Sequence, residues 1–532
     1  MLGLELLVGL GIAILVCSLA APYLRIGAPL LLLAWGVLLG FVPAFREVEL
    51  PSEVVLLLFL PALLYWESLT TSLREIRTHQ RRIILMSTVL VVLTAAGVAA
   101  AAHALGMPWG PAWVLGAAVA PTDATAVAAL ARILPHRSVT LLRAESLIND
   151  GTALVVYAVA VGIVAGDRDY TPLVVSGLLV LSYAGGIAAG FLVAWAGIRL
   201  RRRVDDALLS TVISFLTPFS AFLLAEEFGG SGVLAVVVCG LIMSQAGPRI
   251  NSALARRQAR AFWSFSTFLL NGALFALIGI ELHAVVRILS GGEIALGLLW
   301  VAVVSAVILA IRFSFLFLTS FRVPLRSRAT TRKLRQVSNR SWVVSGVAGF
   351  RGAVSLAAAL GVPVLTAAGT PFPNRGMIIF VTAGVIVVTL TVQGPLLPLV
   401  ARWARLPQDT AMEKERQLAE IRTTEDGLLA IPRLAAQLGT NGDVVDRITR
   451  EHWHHLDVLR ATGTGTGETQ ESPPAVMRHQ QDSELRLALL GRKRTVLLQL
   501  RDDRVIDDRV LRLLELRLDV EELRLTRPDV EE

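Results

Sequence analysis

Cysteine is nearly absent: Cys17 and Cys239 are the only two in 532 residues. Both lie inside apolar runs, so the pattern supports neither a disulfide framework nor a cysteine metal cluster. Charge is scarce too, at 17% of residues, and no Lys or Arg precedes the first apolar run, "LLVGLGIAILVCSLAA", which follows Glu5. A secretory signal opens with a basic segment, so this run reads as a retained first span. HExxH, the helix signature of zinc hydrolases, is missing.

Hydrophobicity is what the chain has instead: 54% of residues, with a mean hydropathy of +0.63. Soluble domains sit near 45–50% apolar. The excess is concentrated in residues 1–405, in recurring runs of roughly 18 or more apolar residues, enough to cross ~30 Å of hydrocarbon. The expectation is an all-α polytopic membrane protein set in a lipid bilayer. About thirteen transmembrane helices are predicted, near 2–21, 27–45, 52–69, 83–102, 112–131, 144–166, 171–198, 207–226, 231–247, 262–281, 293–320, 342–368 and 376–400.

The basic residues test that count. Odd-numbered loops between these spans carry 23 Lys and Arg, even-numbered loops only Arg46, Arg168, Arg287 and Arg375. By the positive-inside rule the N-terminus faces outside and the C-terminus the cytoplasm. The formal charge of +8 is thus a topology signal, and no nucleic-acid partner is expected. After Arg405 the character changes. Residues 406–532 read as a cytoplasmic tail of amphipathic helices dense in both signs of charge, with a flexible linker, "TGTGTGETQESPP", near 462–474. The tail reads as a helical packing or assembly module and points to no ligand.

Several ionisable groups fall at membrane depth, where each costs at least ~2.5–3.5 kcal/mol. They are Glu67 in "FLPALLYWES", Asp123 in "AAVAPTDATAVAAL", Glu145 and Asp150 in "ESLINDGTALVVY", and Arg351 in "GVAGFRGAVSLAAAL". Glu5, Glu281 and Arg312 sit nearer predicted ends or lack polar company, and read as snorkelling or interhelical pairing. On a helix, Ser146 and Asp150 share one stripe, and Glu145 and Asn149 share its neighbour. The first stripe offers oxygens to a hard cation such as Na⁺. The second holds a buried carboxylate that needs a positive partner, for which Arg351, embedded mid-span beside glycines, is the candidate.

"APTDAT" and "GFRGAV" interrupt otherwise clean apolar runs in spans 5 and 12. Broken helices at membrane depth line cavities in transporters built from inverted repeats. Spans 5 and 12 lie seven apart, and span 1 and span 8 enter from opposite faces, so the topology fits inverted repeats with two broken crossing helices. Bland alternatives stand beside each site residue. Ser146 could bond back to its own helix, Glu67 could face interfacial water, and Thr122 with Asp123 could form an ordinary turn cap. Gly36 with Gly40, and Gly186 with Gly190, stand at small-xxx-small spacing, which allows close helix contact within one subunit.

At these four motifs the chain resembles the monovalent cation:proton antiporter-1 family, the bacterial and archaeal relatives of animal Na⁺/H⁺ exchangers. The resemblance covers about residues 1–400. It implies a secondary transporter without a cofactor, not an enzyme, in the bacterial plasma membrane and usually a homodimer. Asp150 would be the principal ion- and proton-binding carboxylate, with Asn149 before it. Thr122 and Asp123 would line the site from the broken span, Ser146 would add a hydroxyl, and Glu67 would be the third-span acid. Na⁺ would bind at Asp150, Ser146, Thr122 and Asp123, and Glu145 with Arg351 would form the buried structural ion pair. Ala124 departs from the family's common Thr-Asp-Pro pattern.

The expected activity is exchange of Na⁺, with Li⁺ or K⁺ as alternatives, for H⁺ by alternating access. The Asn-Asp pairing implies electroneutral 1:1 stoichiometry and a role in pH and sodium homeostasis. A K⁺/H⁺ antiporter of the same architecture is the serious rival. An intramembrane hydrolase built on Asp123 and Asp150 and a cation channel fit the embedded Arg351 and the inverted topology less well.

Overall fold

A computed structural model describes residues 2–24, 27–42, 55–71, 73–78, 83, 85–123, 136–166, 172–288, 290–320, 340, 342–405, 411–463, 474–503, 505 and 508–525. The described residues form two compact units, Met1–Gln408 and Asp409–Glu532. Both are helical, and the only strand-like feature among the described residues is an isolated bridge between Leu365 and Pro371.

In the first unit the helices are α1 (Leu2–Leu24), α2 (Ala28–Leu39), α3 (Leu60–Thr70), α4 (Leu73–Thr78), α5 (Leu90–Ala104) and α6 (Trp109–Val119). Then come α7 (His136–Ala165), α8 (Pro172–Arg201), α9 (Ala207–Glu227), α10 (Gly232–Ile250), α11 (Ala253–Ile288) and α12 (Gly291–Ser320). The series ends with α13 (Ala353–Leu360), α14 (Arg375–Val388) and α15 (Gly394–Ala404). Single π-helical turns, Val55–Phe59, Leu85–Val89 and Thr389–Gln393, lead into α3, α5 and α15. Among the described residues, nine helical stretches are long and apolar enough to cross a membrane, and Ala28–Leu39, Leu57–Thr70 and Trp109–Val119 are shorter apolar helices. All twelve fall on predicted spans. Where span 12 was predicted, residues 342–347 are helical, residues 348–352 are not, and α13 follows.

Lipid explains the composition of the outer faces. Leu15, Leu19, Phe191, Trp195, Phe317 and Leu318 are more than half exposed, an apolar surface that only hydrocarbon tolerates without aggregation. The interior is closed by small residues. A Cβ at Gly36 would lie 2.0 Å from the Ala276 carbonyl of α11, and one at Gly190 would lie 2.4 Å from the Ala235 carbonyl of α10. Hydrocarbon provides no hydrophobic drive between helices, so such close backbone approach supplies the contact. Both glycine pairs read from the sequence therefore pack within the chain, α2 on α11 and α8 on α10.

In the second unit α16 (Ala411–Leu438), α17 (Gly442–Gly463), α18 (Pro474–Asp502) and α19 (Asp508–Leu525) alternate with short connections. Gln417 Nε2 donates to the Leu459 carbonyl and Arg460 pairs with Glu425 at 2.7 Å, tying α16 to α17. Most of the predicted linker, residues 464–473, lies outside the described residues.

Candidate functional site: a polar meeting of a helix end and an interrupted helix

Helix α6 stops at Val119, and residues 120–123 leave the helical path; Ala124 and the rest of the predicted fifth span, to residue 131, lie outside the described residues. A helix that ends inside hydrocarbon strands its last carbonyls, and an unpaired buried backbone group is costly. Here other helices answer them. Arg351 Nε donates to the Val119 carbonyl at 3.1 Å, Ser355 Oγ reaches the Pro121 carbonyl at 3.5 Å, and Ser146 Oγ donates to the Thr122 carbonyl at 2.7 Å.

The interruption at 348–352 is treated the same way. The Asp123 amide donates to the Phe350 carbonyl at 2.8 Å, joining the two breaks backbone to backbone. Arg351 also donates to the Gly349 carbonyl. Gln393, with its amide nitrogen toward them, donates to Val347 and Gly349 at 3.1 and 3.3 Å. The approach leaves no room for a side chain at Gly352: a Cβ there would fall 1.6 Å from Asp123 Oδ2.

Helix α7 delivers the remaining polar groups. Glu145, Ser146, Asn149 and Asp150 are all buried. Asn149 Nδ2 donates to Thr122 Oγ1 at 2.6 Å, so both of the predicted α7 stripes meet the break at Thr122. Ser146 bonds across to that break, not back along its own helix. Glu67, near the end of α3, has Ser146 beside it and Asp123 and Arg143 as charged neighbours. Asp150 in turn interacts electrostatically with Glu67 and Asp123. Asp150 Oδ1 and Asn149 Oδ1 are buried and have no hydrogen-bond partner among the described residues. Two buried acceptors lacking a donor suit a proton or a cation. Among the described residues no three acidic, His or Cys side chains converge on one point, so a cation here would draw on hydroxyl and carbonyl oxygens as well.

The family model for the transmembrane sodium/hydrogen exchanger matches residues 10–403. The chain belongs to the sodium/hydrogen exchanger family. An uncharacterized Na⁺/H⁺ exchanger of Mycobacterium tuberculosis is 43% identical over 530 residues, 99% of this chain and 97% of that one. A sodium, potassium, lithium and rubidium/H⁺ antiporter of Bacillus pumilus is 31% identical over 390 residues, 71% of this chain and 58% of its own. In fold, the exchanger is similar to the sodium proton antiporter MjNhaP1 of Methanocaldococcus jannaschii, with a TM-score of 0.58 at 19% identity, covering 76% of this chain and 99% of that one. The chain is therefore a multi-pass membrane protein of a cation/proton exchanger family, a transporter by class.

One pairing in this exchanger differs from expectation. The ion pair of Glu145 is with Arg312, Nη1 to Oε1 at 3.2 Å, and not with Arg351. Arg351 stays within electrostatic range of both, but its guanidinium is spent on the carbonyls of Val119 and Gly349. Arg312, on α12, also donates through Nε and Nη2 to the Ser345 carbonyl, at 3.1 and 2.9 Å. The sequence showed Arg312 in an apolar run without polar neighbours. Its partners come from α7 and the helical turn before the second break, a meeting no local pattern reveals. Glu281 behaves as expected of an interhelical pair, 3.6 Å from Arg375. A cavity of about 10 Å³, room for about one water, lies among Thr94, Thr122, Glu145, Asn149, Arg312 and Arg351.

Proposed function

We propose that this exchanger trades Na⁺ for H⁺ at Asp150, one for one, by alternating access across the bacterial plasma membrane. The observation that carries the reading is the Asp150 carboxylate: buried, with an oxygen that has no hydrogen-bond partner among the described residues, beside a helix break whose Val119, Pro121 and Thr122 carbonyls are engaged. Removal from water disfavours an ionised carboxylate, and a coordinated cation restores it. Proton and Na⁺ therefore compete for one group, and the bare ionised group crosses poorly. Thr122, Asp123 and Ser146 would complete the oxygen set around Na⁺, with Asn149 holding Thr122 in place and Glu67 as a nearby acid.

The charges of Glu145 and Arg312 compensate each other and need not change during the cycle, which leaves Asp150 to exchange one positive charge for another. Such a cycle is electroneutral and indifferent to voltage, which would otherwise contribute ~2.3 kcal/mol per charge per 100 mV. The basic loops support an external N-terminus and a cytoplasmic C-terminus. Homodimer formation and a role in pH and sodium homeostasis extend the family resemblance to this chain. A broader cation range that includes K⁺ is the second reading, favoured by the similarity to the sodium, potassium, lithium and rubidium/H⁺ antiporter of Bacillus pumilus.

Reconstituted protein under an imposed pH gradient, followed by dye dequenching on adding Na⁺, Li⁺ or K⁺, tests these points. Asp150→Asn should abolish exchange while leaving a monodisperse, folded protein. Exchange at the unaltered rate in that variant overturns the assignment. A rate that responds to a clamped membrane potential overturns the 1:1 count.

A further inference from the structure

A second polar cavity lies where α3, α8 and α10 end and α11 begins. Its volume is about 440 Å³, inside the roughly 300–1,000 Å³ range of small-molecule sites. Arg201, Arg256, Arg257 and Arg260 line it together with Trp66 and Trp263, and among the described residues no Asp or Glu does.

Arg201 is the telling residue. It closes α8 and is only 6% exposed, yet its Nε and Nη2 have no hydrogen-bond partner among the described residues. Its electrostatic neighbours are Tyr65 and Cys239, whose side chains are ordinarily neutral at pH 7. A buried guanidinium without a counter-charge is destabilising, and a ligand that brings the negative charge removes that cost. The planar fork of arginine matches phosphate oxygens two at a time.

The walls are already fixed. Trp263 Nε1 donates to Ser214 Oγ at 3.0 Å, which holds the indole in place. Arg256 Nη1 donates to the Asn251 carbonyl at 2.6 Å, which joins the start of α11 to the end of α10 without using a carboxylate. Arginines clustered at helix ends mark the level of lipid headgroups.

We infer that this cavity binds a phosphate group, carried by an anionic lipid at the interface or by a soluble phosphate compound, with Arg201 as the inner anchor and Arg256, Arg257 and Arg260 as the rim. Thermal unfolding of the delipidated full-length protein tests it, alone or with inorganic phosphate, phosphatidylglycerol or phosphatidylcholine. Phosphatidylglycerol or phosphate should raise the Tm by several degrees through preferential binding to the folded state, and phosphatidylcholine should not. A shift with inorganic phosphate identifies the soluble source; a shift with phosphatidylglycerol alone identifies the lipid.

Arg201→Gln should lose the shift and, without ligand, match or exceed the parent Tm, because an uncompensated charge has gone. A purely structural arginine would lower the Tm in every condition. No shift with either anion, or an undiminished shift in Arg201→Gln, overturns the inference. If Arg201→Gln does not fold, the exposed pair Arg257→Gln/Arg260→Gln serves: the shift should fall by at least half, and an unchanged shift overturns the inference. The readout is unfolding, so it stands or falls separately from the exchange activity.

Discussion

The crossing of α6 with the 348–352 interruption and the helices of the second unit are two polar regions among the described residues, and they use charge in opposite ways. In the crossing, charges are few and buried, and the two arginines bridge separate helices: Arg312 joins Glu145 of α7 to the Ser345 carbonyl, and Arg351 joins two broken ends. In the tail, charges are dense and exposed. They pair along one helix, as Arg416 with Glu420, or across a helical hairpin, as Arg494 with Asp519. Burial, not the number of charges, decides what a pair is worth, because solvent screens the second kind and cannot reach the first. The crossing is a buried polar framework in which one Asp150 oxygen has no hydrogen-bond partner among the described residues; the tail is a solvated surface.

The sharpest way to break this contrast is at Arg312. Removing one partner of a buried pair leaves the other charge uncompensated, a loss of about 3–5 kcal/mol. Arg312→Gln should lower the Tm in detergent accordingly and reduce the yield of monodisperse protein. Neutralising both partners, Arg312→Gln with Glu145→Gln, should recover much of the loss. A double variant no more stable than the single one would mean that Glu145 and Arg312 are not coupled, and the proposed 1:1 count would lose its support.

Glycines give a second comparison. Gly352 faces Asp123 with no room for a methyl group, whereas Gly491 in α18 has nothing within 4 Å of its would-be Cβ. Gly352→Ala must push the two breaks apart, an overpacking cost of about 1–3 kcal/mol, and because the displaced groups flank Asp150 it should also suppress exchange. Gly491→Ala should stabilise its helix by about 0.5–1 kcal/mol, since alanine loses less freedom in an exposed helix interior. Paired Tm and transport measurements on the two variants check both signs. Equal, small effects would show that the crossing is looser than its geometry implies.

Most of this architecture could be read from the chain because its causes are local. Apolar run length marks helices, and the interruptions at Pro121 and at Gly349–Gly352 announce themselves against alanine and valine. The glycine pairs Gly36/Gly40 and Gly186/Gly190 carry the packing signal in their spacing. The motif around Asn149 and Asp150 falls on one helix, so its stripes follow from 3.6 residues per turn. What local pattern could not supply was the choice between two buried arginines. Arg351 stood beside glycines and looked like a site residue; Arg312 stood among leucines and isoleucines and looked incidental. The difference lies in which carbonyls each break strands, and those become competitors for a guanidinium only once the helices have met. Arg201 escaped notice for a related reason: in "IRLRRRVDD" it reads as one more loop arginine of the positive-inside pattern, and only the packing of α8 buries it.

The smallest effect is expected where the comparison began, in the tail. Arg494 is 35% exposed, lies 2.6 Å from Asp519, and also pairs with Glu522. By count of bonds it rivals Arg312, yet its side chains are partly open to water and salt, and long side chains lose rotamer freedom in holding it. Arg494→Gln should therefore leave transport unchanged and shift the Tm far less than Arg312→Gln. Raising the salt concentration should shrink the difference between Arg494→Gln and the parent, because screening weakens exposed pairs most, while the loss in Arg312→Gln should persist. A salt-insensitive, large destabilisation by Arg494→Gln would mean that the tail pair is shielded from solvent by something other than its own hairpin, and exposure would no longer separate the two regions.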